Sequence, residues 1–152
     1  MADLLTSMGN LAGLLRNLCV DHSVVRFHAP LVECRIEAWY DAHPEHVDHE
    51  VAVMLTGETT YRRSELVAVG DEDHCQVSHA KLVKVARKLG CSKVILAHNH
   101  VGGPMRPSIG DARAMEAAAD AMRKDGIMLA LTAVYSEGEG CFCWIPSEGR
   151  KS

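Results

Sequence analysis

The chain has 152 residues, with 16 basic and 20 acidic side chains and a formal charge of −4. That is one ordinary domain, long enough to bury roughly 70% of the surface its unfolded chain exposes without a disulfide staple. The acidic excess argues against a dedicated nonspecific nucleic-acid binder, which works through surplus positive charge. Apolar residues at 47% and charged residues at 24% describe a soluble globular chain, and 12 glycines with 5 prolines are too few for a fibrous or low-complexity one.

The first segment reads as a helix: Leu4, Leu5, Met8, Leu11, Ala12, Leu15, Leu18 and Cys19 recur at spacings of three and four, weakened by Gly9, Asn10 and Gly13. It packs either on the core or on a second subunit. Residues 20–49 carry less signal. Val24 and Val25 precede Pro30, Leu31 to Tyr40 is moderately apolar, and Asp41 to Asp48 with Pro44 reads as a surface loop. His43, His46 and His49 are spaced by three, but Pro44 and the neighbouring acids favour a solvated loop over a metal site.

From Glu50 the pattern sharpens. Val51 to Thr56 predicts a buried strand, Gly57-Glu58 a turn, and Tyr61 to Val69 a second strand. Ser78 caps a helix from His79 to Leu89 that turns Leu82, Val85, Ala86 and Leu89 inward and stops at Gly90. Lys93 to Ala97 is a buried strand that runs into His98-Asn99-His100. A Gly-Pro-rich loop leads to Ser108 and a second helix, with Ala112, Met115, Ala118, Ala119 and Met122 on one side and Gly126 closing it. Ile127 to Tyr135 and Cys141 to Ile145 then form a hairpin around Ser136 to Gly140. Strands and helices share one core, and no internal repeat is visible.

Six cysteines, Cys19, Cys34, Cys75, Cys91, Cys141 and Cys143, include no CxxC pair, so a zinc ribbon has no support. Most sit in apolar runs and read as buried thiols. Cys141 and Cys143 would face the same way on a strand. The N-terminus lacks the pattern of a signal peptide and no apolar run reaches 18 residues, so the expectation is a reducing cytoplasm and no membrane span.

The chemistry concentrates in His98 to Asp111. Two histidines two apart at a strand end can face one point, and Asp111 in the first turn of the next helix can return to it. Two imidazoles and a carboxylate leave a fourth position open for water, which suits catalytic rather than structural zinc. Asn99 points the other way and is able to tie the loop down. A blander reading stands beside this one. Ser108-x-x-Asp111 is a capping box in its own right, and strand-end histidines are often only packed.

The run His98-x-His100, seven residues, Ser108-x-x-Asp111 resembles the signature of the JAMM (MPN+ or JAB) metalloprotease superfamily. The closer likeness is to its RadC-like branch: His-Asn-His, Gly103, Pro107, Ser108 and Asp111 match, as do Gly70, the helix from His79 and Gly126-Ile127 in order. The likeness covers roughly residues 50 to 135. It implies an α/β (α+β) single domain of the JAB/MPN-like, cytidine-deaminase-like type: a mixed, curved sheet flanked by helices. Residues 50–150 form that domain, with residues 1–49 an N-terminal helix and extension packing on or beside it.

The resemblance further implies Zn(2+) held by His98, His100 and Asp111, Ser108 stabilising the oxyanion, and a glutamate on an earlier strand acting as general base. Glu50 is the best position for it. Glu58 lies in the turn, Glu65 on the second strand, and Glu33 or Glu37 fit only if Leu31 to Tyr40 is a strand. The implied activity is hydrolysis of a peptide or isopeptide bond in a protein or peptide, some relatives cutting after a ubiquitin-like C-terminus. A homodimer is one arrangement of the N-terminal helix. Two departures stand out. Val101-Gly102 replaces the usual Pro-Ser, and Leu129-Ala130-Leu131-Thr132 lacks the branch's Asp-His pair. The alternatives are a noncatalytic JAB-fold interaction domain, or a DNA-repair-associated accessory protein with Tyr61-Arg62-Arg63 as its only conspicuous basic-aromatic cluster.

Overall fold

The computed structural model describes residues 19–46, 48–57, 60–71, 76–103 and 105–146, with side chains from residue 30 onward. The helix expected from Leu4 lies outside the described residues, as do Glu58 and Cys75.

Five strands form one sheet: β1 (Val51–Thr56), β2 (Ser64–Val69), β3 (Lys93–Asn99), β4 (Met128–Ser136) and β5 (Gly140–Trp144). Their order is β2-β1-β3-β4-β5; β3 and β4 run parallel, and the other neighbours are antiparallel. Helix α1 (Cys19–Asp41) covers one face; α2 (His79–Leu89) and α3 (Ile109–Lys124) cover the other. This is the mixed, helix-flanked α+β sheet that the sequence implied.

Because both faces are covered, β1 is buried at every position and reads as a continuous apolar run. The period of two divides it. Ala52 and Met54, with Val94 and Leu96 of β3, pack on Leu82 and Ala86 of α2 and Ala118 and Met122 of α3. Val51, Val53 and Leu55, with Ile95 and Ala97, pack on Val32, Ile36 and Tyr40 of α1. At the far end of β1, Gly57 donates its N–H to the Lys93 carbonyl at 2.7 Å. A Cβ there would stand 2.6 Å from that oxygen, so only glycine permits the approach.

The two short helices follow their caps. Ser78 Oγ accepts from the Lys81 N–H at 3.1 Å, and Gly90, at φ +73°, donates back to Ala86 and Arg87. Helix α1 was not foreseen. It runs unbroken for 23 residues with Pro30 inside it. An interior proline costs a helix about 3 kcal/mol. Val32, Ile36 and Tyr40 recur every four residues and are all buried against the sheet, each burial contributing roughly 1.5–3 kcal/mol. Packing therefore outweighs the break. Tyr40 also donates its hydroxyl to the Val51 carbonyl at 2.6 Å and stacks on Tyr135 at 4.8 Å.

With Leu31 to Tyr40 helical, the condition that made Glu33 or Glu37 a base candidate fails. Both lie on the α1 side of the sheet: Glu33 acts electrostatically on Cys143 of β5, and Glu37 reaches Gly140. Burial, then the charge of Glu37, raises the Glu33 pKa above its ordinary 4.5. The folded state thus holds that proton more tightly than the unfolded chain, and stability is lost as pH rises through the folded-state value. Glu33→Gln removes the loss. Thermal melts should show the variant modestly more stable than wild type at pH 7, since the group is still partly solvated. The difference should close below the ordinary glutamate value of 4.5.

Candidate metal centre

Strand β3 ends in His98-Asn99-His100, and alternation sends the two imidazoles to the α2/α3 face and Asn99 to the α1 face. The chain beyond is tied to the end of β4. His100 N–H donates to the Tyr135 carbonyl at 2.8 Å, and Ser136 Oγ donates to the Gly103 carbonyl at 2.7 Å. The loop so anchored delivers Ser108 to the start of α3.

Ser108 Oγ accepts from the Asp111 N–H at 3.0 Å, and Asp111 Oδ2 accepts from the Ser108 N–H at 2.9 Å, a complete capping box. The same carboxylate meets both histidines. His100 Nε2 lies 3.0 Å from Asp111 Oδ2, and His98 Nε2 lies 3.5 Å from Oδ1. Capping and ion binding are therefore compatible uses of one side chain rather than competing readings.

The donor atoms of His98, His100 and Asp111 all fall within 4.8 Å of one another. Their side chains are 13%, 15% and 24% exposed, so the cluster is shielded but reachable. His98 Nε2 is buried and makes no well-formed hydrogen bond, Asp111 Oδ1 standing at 3.5 Å, a costly condition that an ion between these groups would relieve. Burial by itself would raise the Asp111 pKa. The facing His98 imidazole and the Ser108 backbone N–H outweigh it and hold the carboxyl well below the usual carboxylate range. An ionised carboxylate and two imidazoles fit a divalent ion such as zinc, with coordination positions left over.

Glu50 comes to the same place by strand pairing. Ala52 of β1 lies opposite His98 of β3, and each antiparallel step back along β1 is one step forward along β3. Two residues before Ala52, Glu50 lies on the face it shares with Ala52 and Met54. It lines a cleft of about 870 Å³ together with His98, His100, Ser108 and Asp111. Leu82, Leu96 and Met115 are among the apolar side chains of its walls. Glu65, the rival on β2, is ion-paired with Lys88 at 3.3 Å.

Other sequence candidates settle elsewhere. His43 stacks on Trp39 at 4.0 Å, His46 Nδ1 lies 2.9 Å from His49 Nε2, and Pro44–His46 is a short 3-10 turn. The stretch is the surface segment expected, with Asp41, Ala42, Pro44, Glu45 and Asp48 exposed, and within it the half-buried histidines stack on Trp39 and on one another. Among the described residues, only His98, His100 and Asp111 bring three such donors together. The Cys143 thiol is pushed up by its hydrogen bond with Cys141 and by burial. Among the cysteines with described side chains, however, only Cys141 is buried, Cys34 being exposed and Cys91 and Cys143 half-buried, so the expectation of mostly buried thiols is not met. Asn99 does tie down a segment, but it is the start of β1 rather than the loop after His100. Ser136 was read only as a turn residue, and no sequence signal announces its bond to Gly103.

Residues 34–142 match the RadC-like JAB domain. No curated protein matches the chain. The matched span begins inside α1, ends inside β5 and takes in the whole of the histidine and aspartate cluster. This chain belongs to the RadC-like JAB domain family.

Proposed function

We propose that the chain is a zinc-dependent hydrolase of peptide or isopeptide bonds. The observation that carries this reading is the convergence of His98, His100 and Asp111 in a cleft that Glu50 and Ser108 also line. Zinc held by His98, His100 and Asp111 would lower the pKa of water and polarise a carbonyl oxygen.

The remaining work falls to the chain's own groups. Glu50 lines the same cleft without belonging to the three-donor cluster, and we assign it the proton transfers. It takes a proton from the attacking water and hands it to the leaving nitrogen. Ser108 has two tasks that do not conflict. Its oxygen accepts the capping bond from Asp111 N–H, and its own O–H remains to donate to the developing oxyanion. Asp111, kept ionised, orients His100 and closes the cap on α3.

The substrate class is a protein or peptide, with the C-terminus of a ubiquitin-like protein as one form. Among the described residues no helix is long and apolar enough to cross a membrane, and we place the reaction in the cytoplasm.

Elemental analysis of the purified full chain should find about one zinc per chain, and none in a His98→Ala, His100→Ala double variant. A wild-type chain that takes up no zinc from excess metal would replace the hydrolase reading with a noncatalytic interaction domain. Glu50→Gln should keep its zinc and lose about 10²- to 10⁴-fold in hydrolysis of a quenched-fluorescent peptide pool. Ser108 separates its two tasks by substitution. Ser108→Gly should cost only a few tenths of a kcal/mol in stability, because glycine is a tolerable cap. Its turnover should fall about 10²-fold, as when an oxyanion donor is removed. Unchanged turnover in Ser108→Gly would leave the serine as a cap alone.

A further inference from the structure

Asn99 sits between the two histidines in sequence but on the other face of the sheet, 5% exposed. Its side-chain amide is committed to the backbone on either side of Glu50. The Val51 N–H donates to Asn99 Oδ1 at 2.7 Å, and Asn99 Nδ2 donates to the His49 carbonyl at 3.1 Å. Glu50 itself is held from the opposite direction. Its N–H donates to the Asp71 carbonyl at 2.7 Å, and its carbonyl accepts from the Gly70 N–H at 2.8 Å. The residue lies one position before β1, where an unsupported strand end would fray.

The residue type suits the task. The backbone around Glu50 offers one N–H and one C=O, and an asparagine amide presents an acceptor and a donor in one plane. A carboxylate there would accept but not donate, and an aliphatic side chain would do neither. A buried polar group in this packed region is costly unless both ends are satisfied, and both are.

We propose that Asn99 is a positioning residue that fixes the Glu50 carboxylate relative to His98 and His100. The inference rests on the reading of Glu50 as general base. One tripeptide then sets both halves of the site: its histidines through their side chains on the cleft face, and its asparagine through the backbone of β1 on the other. A misplacement of about 1 Å costs a catalytic group on the order of 10²-fold in rate.

The test uses the zinc-loaded full chain as wild type, Asn99→Ala and Asn99→Asp, followed by zinc content, amide exchange at Val51, and kcat and KM on the peptide pool. Asn99→Asp keeps an acceptor for the Val51 N–H and loses the donor to His49, so it serves if Asn99→Ala fails to fold. The expected result is unchanged zinc, Val51 exchange about tenfold faster in Asn99→Ala, and kcat lowered about 10- to 100-fold with KM within about twofold. In Asn99→Asp the same fall in kcat should appear with zinc retained. Unchanged kcat in a folded variant overturns the proposal, and so does loss of zinc, which would mean that Asn99 acts through the histidines. Glu50→Gln separates the two readings. If it is inactive while the Asn99 variants remain active, Asn99 alone is wrongly assigned. If it is active, or if wild type hydrolyses nothing, the reading of Glu50 as base falls.

Discussion

Everything at the site depends on the register in which β1 pairs with β3. Val53 opposite Ala97 and Ala52 opposite His98 set which side chains of two unlike sequences share a face. A slip of one residue would send Glu50 to the α1 side and leave the histidines facing the wrong residues of β1. The register is held by burial on both faces, since Val51, Val53 and Leu55 cannot exchange places with Ala52 and Met54 without emptying one core and crowding the other. Gly57, pressed against Lys93, and Asn99, bonded to Val51, fasten the two ends of the same pairing.

The second constraint is electrostatic and local. Asp111 sits in the first turn of a 16-residue helix, where free N–H groups and the helix dipole favour a negative charge. Burial opposes that charge and the imidazole of His98 supports it, and support prevails. The carboxylate is thus ionised and aimed before any ion arrives. The cost of organising the third donor is met by helix α3 in folding, and ion binding need only bring two imidazoles and that carboxylate into use.

How much of this was readable from sequence follows from the range of the interactions. Helices α2 and α3 carry their own start and stop signals in Ser78, Gly90 and Ser108, and each cap spans three or four residues. The strand ending in His98 announces itself by a run of apolar residues. Helix α1 does not, because Pro30 argues against it and only the sheet beneath Val32, Ile36 and Tyr40 decides the matter. The grouping of His98, His100 and Asp111 was visible as a spacing. Glu50 was one of five candidate carboxylates in the sequence, and only the fold shows that it lines the cleft beside the two histidines. The bonds from Asn99 to Val51 and from Ser136 to Gly103 cross 48 and 33 residues, and no local pattern encodes them.

The two departures from the branch's usual sequence also acquire a physical meaning. Where Val101-Gly102 stands for Pro-Ser, the loop does not rely on proline for its path. It is held by His100 N–H on Tyr135 and by Ser136 on the Gly103 carbonyl, and Gly102, in the place of the serine, takes a φ of +64° that favours glycine. In the stretch Leu129-Ala130-Leu131-Thr132, which lacks the Asp-His pair, Leu131 is packed in the core beneath α1 and Thr132 donates its hydroxyl to the Trp144 carbonyl, linking β4 to β5. The geometry of the cluster is set by the end of β3, the cap of α3 and the anchors on β4, and all three are intact in this chain. What the departures alter is the rim of the cleft, where Val101 brings an apolar side chain. The differences from the branch therefore bear on the rim of the cleft rather than on the three-donor cluster.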